Sequence, residues 1–383
     1  MKKILLPLLI LLLGVQPLAA KRVKIHSPRK GKAVESGQAY APVRNLIYMI
    51  GDGMGLSHVA MMMIEEGYQE GPFDRMHNIA LMSTYSANNR VTDSAAAGTA
   101  LACGCKTNNS MLGVTPDSLP HPSIIAQAMA ERMPAGVVVT SEIQHATPAA
   151  FYAHVPHRKH YAAISEQLVT SGLDVAFGGG RKAMAEAAAD GYSPIDRLRE
   201  GGCPVVMEWS ETDSITQGRV VGLFAEGHLP SMLKGRGDYL PKATAKALQI
   251  LSTNAAQRDK GFVLMVEGSQ IDMQSHGNNV AGTLAEVRDF AAAVEEAMRF
   301  ADEHPGTLVV VTADHETGGL TMPSGNSDFL QSESGIEYKF STGSHTGILV
   351  PIYLYGSGSE YINGVMDNTQ LSRRLAELLG VMR

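Results

Sequence analysis

The sequence predicts an α/β fold: a doubly wound, largely parallel sheet with helices on both faces and an active site at the carboxyl ends of the strands. Short apolar runs rich in β-branched residues end in Gly, Asp, Glu or His, at 45–53 (NLIYMIGDG), 135–142 (AGVVVTSE), 262–268 (FVLMVEG) and 307–315 (TLVVVTADH). Continuous apolar strands of this kind suit a sheet covered on both faces. Helical patterns lie between them, the longest at 281–304, and strands that alternate with helices pair in parallel. Asp52, Glu267, Asp314 and His315 each stand at the carboxyl end of an expected strand, the edge at which open α/β sheets bind ligands.

In chain order, the first element is an expected signal peptide over 1–20. Lys2 and Lys3 precede an apolar run from Ile4 to about Val15, and small residues close it at Ala19 and Ala20, the pattern of a secretory leader. That run is too short to cross a bilayer comfortably, and no later segment approaches the roughly 20 apolar residues a span needs. The mature chain is therefore expected to have no membrane span and to be periplasmic or secreted. Residues 21–42 read as a polar arm and 43–383 as a single domain, with no internal repeat and no linker long enough to divide it. An exported chain meets an oxidising compartment, yet Cys103, Cys105 and Cys203 are its only three cysteines, so disulfides are not what holds this fold. A hydrophobic content of 44% supports a large core, and a net charge of -6 without an extended basic stripe gives no case for a nucleic-acid-binding surface.

The stretch VTDSAAAGTALACGC at 91–105 places Asp93 and Ser94 ahead of an alanine-rich run with helix-forming composition. Asp and Ser are both favoured helix caps, so by itself the stretch leaves Ser94 either a cap or a nucleophile. The rest of the chain supplies carboxylates and imidazoles: Asp52 in IGDGMG, Glu267, Asp272 and His276 in EGSQIDMQSH, the adjacent Asp314 and His315, and His345 in GSHTG. Singly, each has an ordinary structural reading as a turn, cap, surface pair or loop residue. If they converge, carboxylates crowded into one pocket repel one another or protonate, and divalent cations remove that conflict. Mixed imidazole and carboxylate donors suit zinc, all-oxygen donors magnesium. Asp272, His276 and His345 then make one zinc site and Asp52, Asp314 and His315 a second, while Glu267 and the Thr147 hydroxyl join Asp52 around magnesium.

Taken together and in order, IGDGMG (50–55), TDSAAAGTA (92–100), QHATPAAFYAHVPHRK (144–159), EGSQIDMQSH (267–276), TADHETGG (312–319) and HTG (345–347) resemble the motifs of the alkaline phosphatase family, over roughly residues 45–380. The resemblance implies hydrolysis of small-molecule phosphate monoesters by two Zn2+ and one Mg2+, with Ser94 as nucleophile forming a phosphoserine intermediate. It implies the two zinc sets just named, Asp52, Thr147 and Glu267 at the third metal, Arg158 clamping the phosphate and Asp93 orienting that arginine, in a possible homodimer. Two positions depart from the best-known bacterial pattern: His145 stands where that pattern has Asp near the third metal, and Met273 where Lys, His or Trp is usual. The short interval from His315 to His345 leaves no room for the large insert of the animal enzymes.

Overall fold

The computed structural model describes residues 42–325 and 335–382; the expected signal peptide and all but the last residue of the polar arm lie outside them. All described residues belong to one compact unit, Tyr40–Arg383. In chain order the strands are β1 (Asn45–Gly51), β2 (Asn78–Ser83), β3 (Ala135–Glu142), β4 (Val175–Gly179), β5 (Val205–Val206), β6 (Val220–Leu223), β7 (Val263–Gly268), β8 (Thr307–Thr312), β9 (Glu316–Thr317), β10 (Leu320–Thr321), β11 (Lys339–Phe340), β12 (His345–Thr346), β13 (Val350–Gly356) and β14 (Gly364–Asp367).

Ten of them form one sheet in the order β14-β2-β13-β8-β1-β7-β3-β4-β6-β5. Only β13 opposes its neighbours; every other adjacent pair is parallel. The apolar runs of β7 and β8 are buried along their whole length, as expected of strands covered on both faces. The helix expected at 281–304 spans Val280–Glu303 and packs against the sheet and against helix Tyr239–Arg258. Cys103, Cys105 and Cys203 are free thiols. Among the described residues no helix is long and apolar enough to cross a membrane.

Strand register delivers the reactive residues to one edge. Ile50 of β1 lies opposite Glu267 of β7 and Thr312 of β8, and Val139 of β3 also lies opposite Glu267. The residues that follow these strands therefore emerge side by side: Asp52 after β1, Asp314 and His315 after β8, and the segment carrying His145 and Thr147 after β3.

Candidate active site

Helix Ser94–Cys103 starts one residue after Asp93, and Asp93 is its cap: the Ala96 N–H donates to Asp93 Oδ1 at 3.0 Å. Gly104 ends the helix in the left-handed conformation, φ +66°. The local question at 91–105 thus resolves against Ser94 as a cap. Ser94 is the first residue of the helix, buried, with Oγ 3.3 Å from His315 Nε2. Asp93 Oδ2 accepts from the Ser110 N–H at 2.9 Å and from Arg158 Nη1 at 3.2 Å. The guanidinium is also 3.3 Å from His145 Nε2 through Nη2, so Arg158 is held between Asp93 and His145 beside Ser94's helix.

Asp272, His276 and His345 converge although 69 positions separate the two histidines. A backbone carbonyl orients each imidazole: His276 Nδ1 is 2.8 Å from the Gly343 carbonyl and His345 Nδ1 2.8 Å from the Thr92 carbonyl. A carbonyl only accepts, so in the neutral rings Nδ1 carries the proton and Nε2 a lone pair. Those two Nε2 atoms face each other at 3.2 Å, and Asp272 oxygens lie 3.3 Å from His276 Nε2 and 3.5 Å from His345 Nε2. Three facing electron-pair donors repel unless a proton or a metal cation lies among them, and without metal the hydrogen bond to Asp272 pushes His276 up to about 9. A tetrahedral zinc with ligands at about 2.0–2.1 Å spaces them about 3.3 Å apart, which these distances match.

The same spacing surrounds His315, whose Nε2 lies 3.2 Å from Asp314 Oδ2, 3.5 Å from Asp52 Oδ1 and 3.3 Å from Ser94 Oγ. The second grouping differs in one respect from the sequence expectation. Asp272 also reaches Asp52 and His315, with donor atoms all within 4.8 Å of one another, so it stands between the two clusters. A third cluster joins Asp52, His145 and Glu267; Thr147 sits two residues after His145 on the short helix Ala146–Ala149.

Burial makes the case for cations. Both oxygens of Asp52, Glu267 Oε1, Asp314 Oδ2, Thr147 Oγ1 and His145 Nδ1 are buried without a hydrogen-bond partner, a costly arrangement for polar groups and more so for charged ones. Burial, then the charges of Asp314, Asp272 and Glu267, push the Asp52 carboxyl well above its ordinary range. Burial is also the main reason that Glu267 is pushed up to about 8. His145 falls to about 3, through burial and the Arg158 charge, so its ring is neutral. Asp272 behaves oppositely: burial disfavours its charge, yet His276, His315 and His345 hold its carboxyl below the ordinary value. The three clusters of donors fit metal cations.

Several supporting residues gain their roles only from the fold, even where, like Glu316 and Thr317 in TADHETGG, they lie inside a motif. His58 is fully buried; its Nδ1 accepts the Gly55 N–H at 3.2 Å and its Nε2 lies 3.1 Å from Ser275 Oγ, tying the IGDGMG turn to the helix of Asp272. The Thr317 hydroxyl donates to Asp272 and is 3.2 Å from His315 Nδ1. Glu316, also buried, accepts from the Gly319 and Leu320 N–H groups and from the Thr346 hydroxyl, which pins the strand carrying His345. Gly53 is needed as glycine: at φ +72° a Cβ there would sit 3.0 Å from the Asp272 backbone. Met273, partly exposed next to Asp272, offers no charge to the site.

Comparison with known proteins agrees with this fold. The family model "Alkaline phosphatase" matches residues 43–335. The chain is 32% identical to the alkaline phosphatase of Escherichia coli strain K12, covering 89% of this chain and 87% of that protein. It is 30% identical to the streptomycin-6-phosphate phosphatase of Streptomyces griseus over 95% of this chain and 96% of that protein. The alkaline phosphatase of the Antarctic bacterium TAB5 superposes with a TM-score of 0.83 at 34% identity, over 90% of this chain and all of that one. Mutants of the TAB5 enzyme in which a histidine is replaced by Asp or Glu are described with Mg bound in the M3 site. On the family model, these relatives and the superposed fold, the chain belongs to the alkaline phosphatase family and is a phosphoric monoester hydrolase.

Proposed function

We propose that the chain cleaves phosphate monoesters to an alcohol and inorganic phosphate with Ser94 as nucleophile, through a phosphoserine intermediate. The observation that carries this reading is the division of labour at the helix start: Asp93 caps the helix and leaves Ser94 Oγ uncommitted, 3.3 Å from His315 Nε2. Asp272, His276 and His345 would hold one Zn2+, Asp52, Asp314 and His315 a second, and Asp52, His145, Thr147 and Glu267 an Mg2+. When bound, such cations neutralise charge on the phosphoryl and leaving-group oxygens and favour ionised oxygen nucleophiles.

The chain's own residues account for the rest. Ser94 Oγ forms a bond to phosphorus as the bond to the alcohol oxygen breaks, its electron pair leaving with that oxygen and the serine proton passing to it through solvent. Arg158, positioned by Asp93, presents two parallel N–H donors to nonbridging oxygens, a geometry guanidinium suits and ammonium does not. The unpaired N–H groups at the start of helix Ser94–Cys103 favour the anion further. Water then attacks the phosphoserine and Ser94 leaves, regenerating the hydroxyl and releasing phosphate. His145 in place of a carboxylate weakens the preference of the third site for magnesium, and Met273 makes no polar contact with phosphate. The leader at 1–20 would direct this activity to the periplasm or the medium.

A phosphodiesterase of the same superfamily is the second reading, and Arg158 with the third cluster favours the monoester. Turnover of p-nitrophenyl phosphate against its bis-ester, with and without chelator, tests the assignment: faster turnover of the bis-ester would overturn it, and chelator-insensitive turnover would overturn the metal assignment.

A further inference from the structure

Asn109 and Ser110 lie in a turn just beyond helix Ser94–Cys103, yet three of their hydrogen bonds reach back to the segment that leads into that helix. A fourth, from the Arg158 N–H to the Ser110 carbonyl at 2.7 Å, reaches the residue assigned to clamp phosphate.

The Asn109 carboxamide takes the place of a neighbouring strand. Its Nδ2 donates to the Val91 carbonyl at 3.2 Å, and its Oδ1 accepts the Asp93 N–H at 3.3 Å. A main-chain carbonyl only accepts and a main-chain N–H only donates, so these two partners leave the amide one orientation. Residues 91 and 93 of an extended segment turn their polar groups to one side and residue 92 to the other. Asp93 is extended, at φ −102° and ψ 169°, and the Thr92 carbonyl lies 2.8 Å from His345 Nδ1. The amide thus sets which way this segment faces. Asn109 is itself anchored, its N–H donating to Asn88 Oδ1 at 3.0 Å.

Ser110 completes the grip. Its backbone is left-handed, φ +76°, a strained conformation for a residue with a side chain that persists where surrounding contacts over-determine it. The Ser110 N–H donates to Asp93 Oδ2 at 2.9 Å, and Arg158 Nη1 donates to the same oxygen at 3.2 Å. Asp93, Ser110 and Arg158 are therefore each bonded to the other two, and Asn109 fixes the backbone that carries Asp93.

We propose that Asn109 is a positioning residue for phosphate binding: by holding Val91 and Asp93 it aims the Asp93 carboxylate at Arg158, and so sets where the guanidinium meets phosphate. The proposal rests on Arg158 as the phosphate clamp. A turn that served only the fold would change melting and leave phosphate binding alone.

Asn109→Ala removes both side-chain hydrogen bonds. In the metal-loaded enzyme, below its melting temperature, KM for p-nitrophenyl phosphate and the inhibition constant of inorganic phosphate are expected to rise together by about 3- to 10-fold, the range for a lost hydrogen bond, while kcat changes less. Asn109→Ser, a good turn residue too short to bridge Val91 and Asp93, should show the same rise and serves if the alanine variant folds poorly. In an Arg158→Ala background the same substitutions are expected to add little, because Asn109 acts through the arginine. Wild-type constants in the Asn109 variants, with those of Arg158→Ala raised, would overturn this proposal alone, as would an equal rise in both backgrounds. Wild-type constants in Arg158→Ala would overturn the clamp assignment and this proposal with it.

Discussion

Asp93 and Ser94 are adjacent and do different things. Asp93 caps the helix through Oδ1 and holds Arg158 through Oδ2, while Ser94 Oγ is left 3.3 Å from His315 Nε2. Had the serine been the cap, its oxygen would have been occupied by a backbone N–H.

Replacement of Ser94 is expected to remove turnover while the protein keeps its metals. In Ser94→Ala, kcat for p-nitrophenyl phosphate falls by about 10³-fold or more, with zinc content by elemental analysis unchanged. Turnover near the wild-type rate would sink the nucleophile assignment.

The two tasks of Asp93 separate by substitution. Asp93→Asn retains a good cap but loses the charge that holds Arg158, so KM rises by about tenfold, the loss expected for a charge-assisted bond, while thermal stability is kept. Asp93→Ala has the same kinetic defect and loses in addition about 1 kcal/mol of stability. Steady-state kinetics and denaturant titration of the pair distinguish the two effects.

The proposed third site places His145 beside its ion. In His145→Asp a carboxylate joins Asp52 and Glu267, and magnesium affinity, measured by calorimetry on the zinc-loaded enzyme, is expected to tighten by about tenfold or more. Equal affinity in the two proteins would exclude His145 from that site.

Metal removal exposes the pH dependence of stability that buried carboxylates impose. Without cations, folded Glu267 keeps its proton up to about 8 against an ordinary value of 4.5, so the folded state binds more protons than the unfolded one in that window. Its stabilising contribution is complete below 4.5 and is lost as pH rises to about 8; Asp52 acts in the same direction. The melting temperature of chelator-treated protein should fall across that window, and metal-loaded protein should lack this fall. Parallel curves would contradict the site's assignment to cations.

His58 supports the site from beneath. His58→Ala removes the contacts to Gly55 N–H and Ser275 Oγ and opens a buried cavity, so stability should drop by about 2 kcal/mol or more. Chelator titration should show weaker metal retention as well, because the helix of Asp272 loses its tie to the IGDGMG turn.

The sequence by itself determined the fold class, the strands that end in Asp52, Glu267, Asp314 and His315, and the residue types able to bind metal. Local pattern suffices there, because continuous apolar runs declare strands buried on both faces and a carboxylate after such a run lies at the sheet edge. Only the tertiary structure decided which of Asp93 and Ser94 caps the helix, that Asp272 stands between two clusters, and that His58, Glu316 and Thr317 support it. Each of these depends on contacts between segments far apart in the chain: His58 and Ser275 are 217 positions apart, Ser94 and His315 221. What brings them together is the order β8-β1-β7-β3, set by packing of the whole sheet rather than by any short stretch of residues.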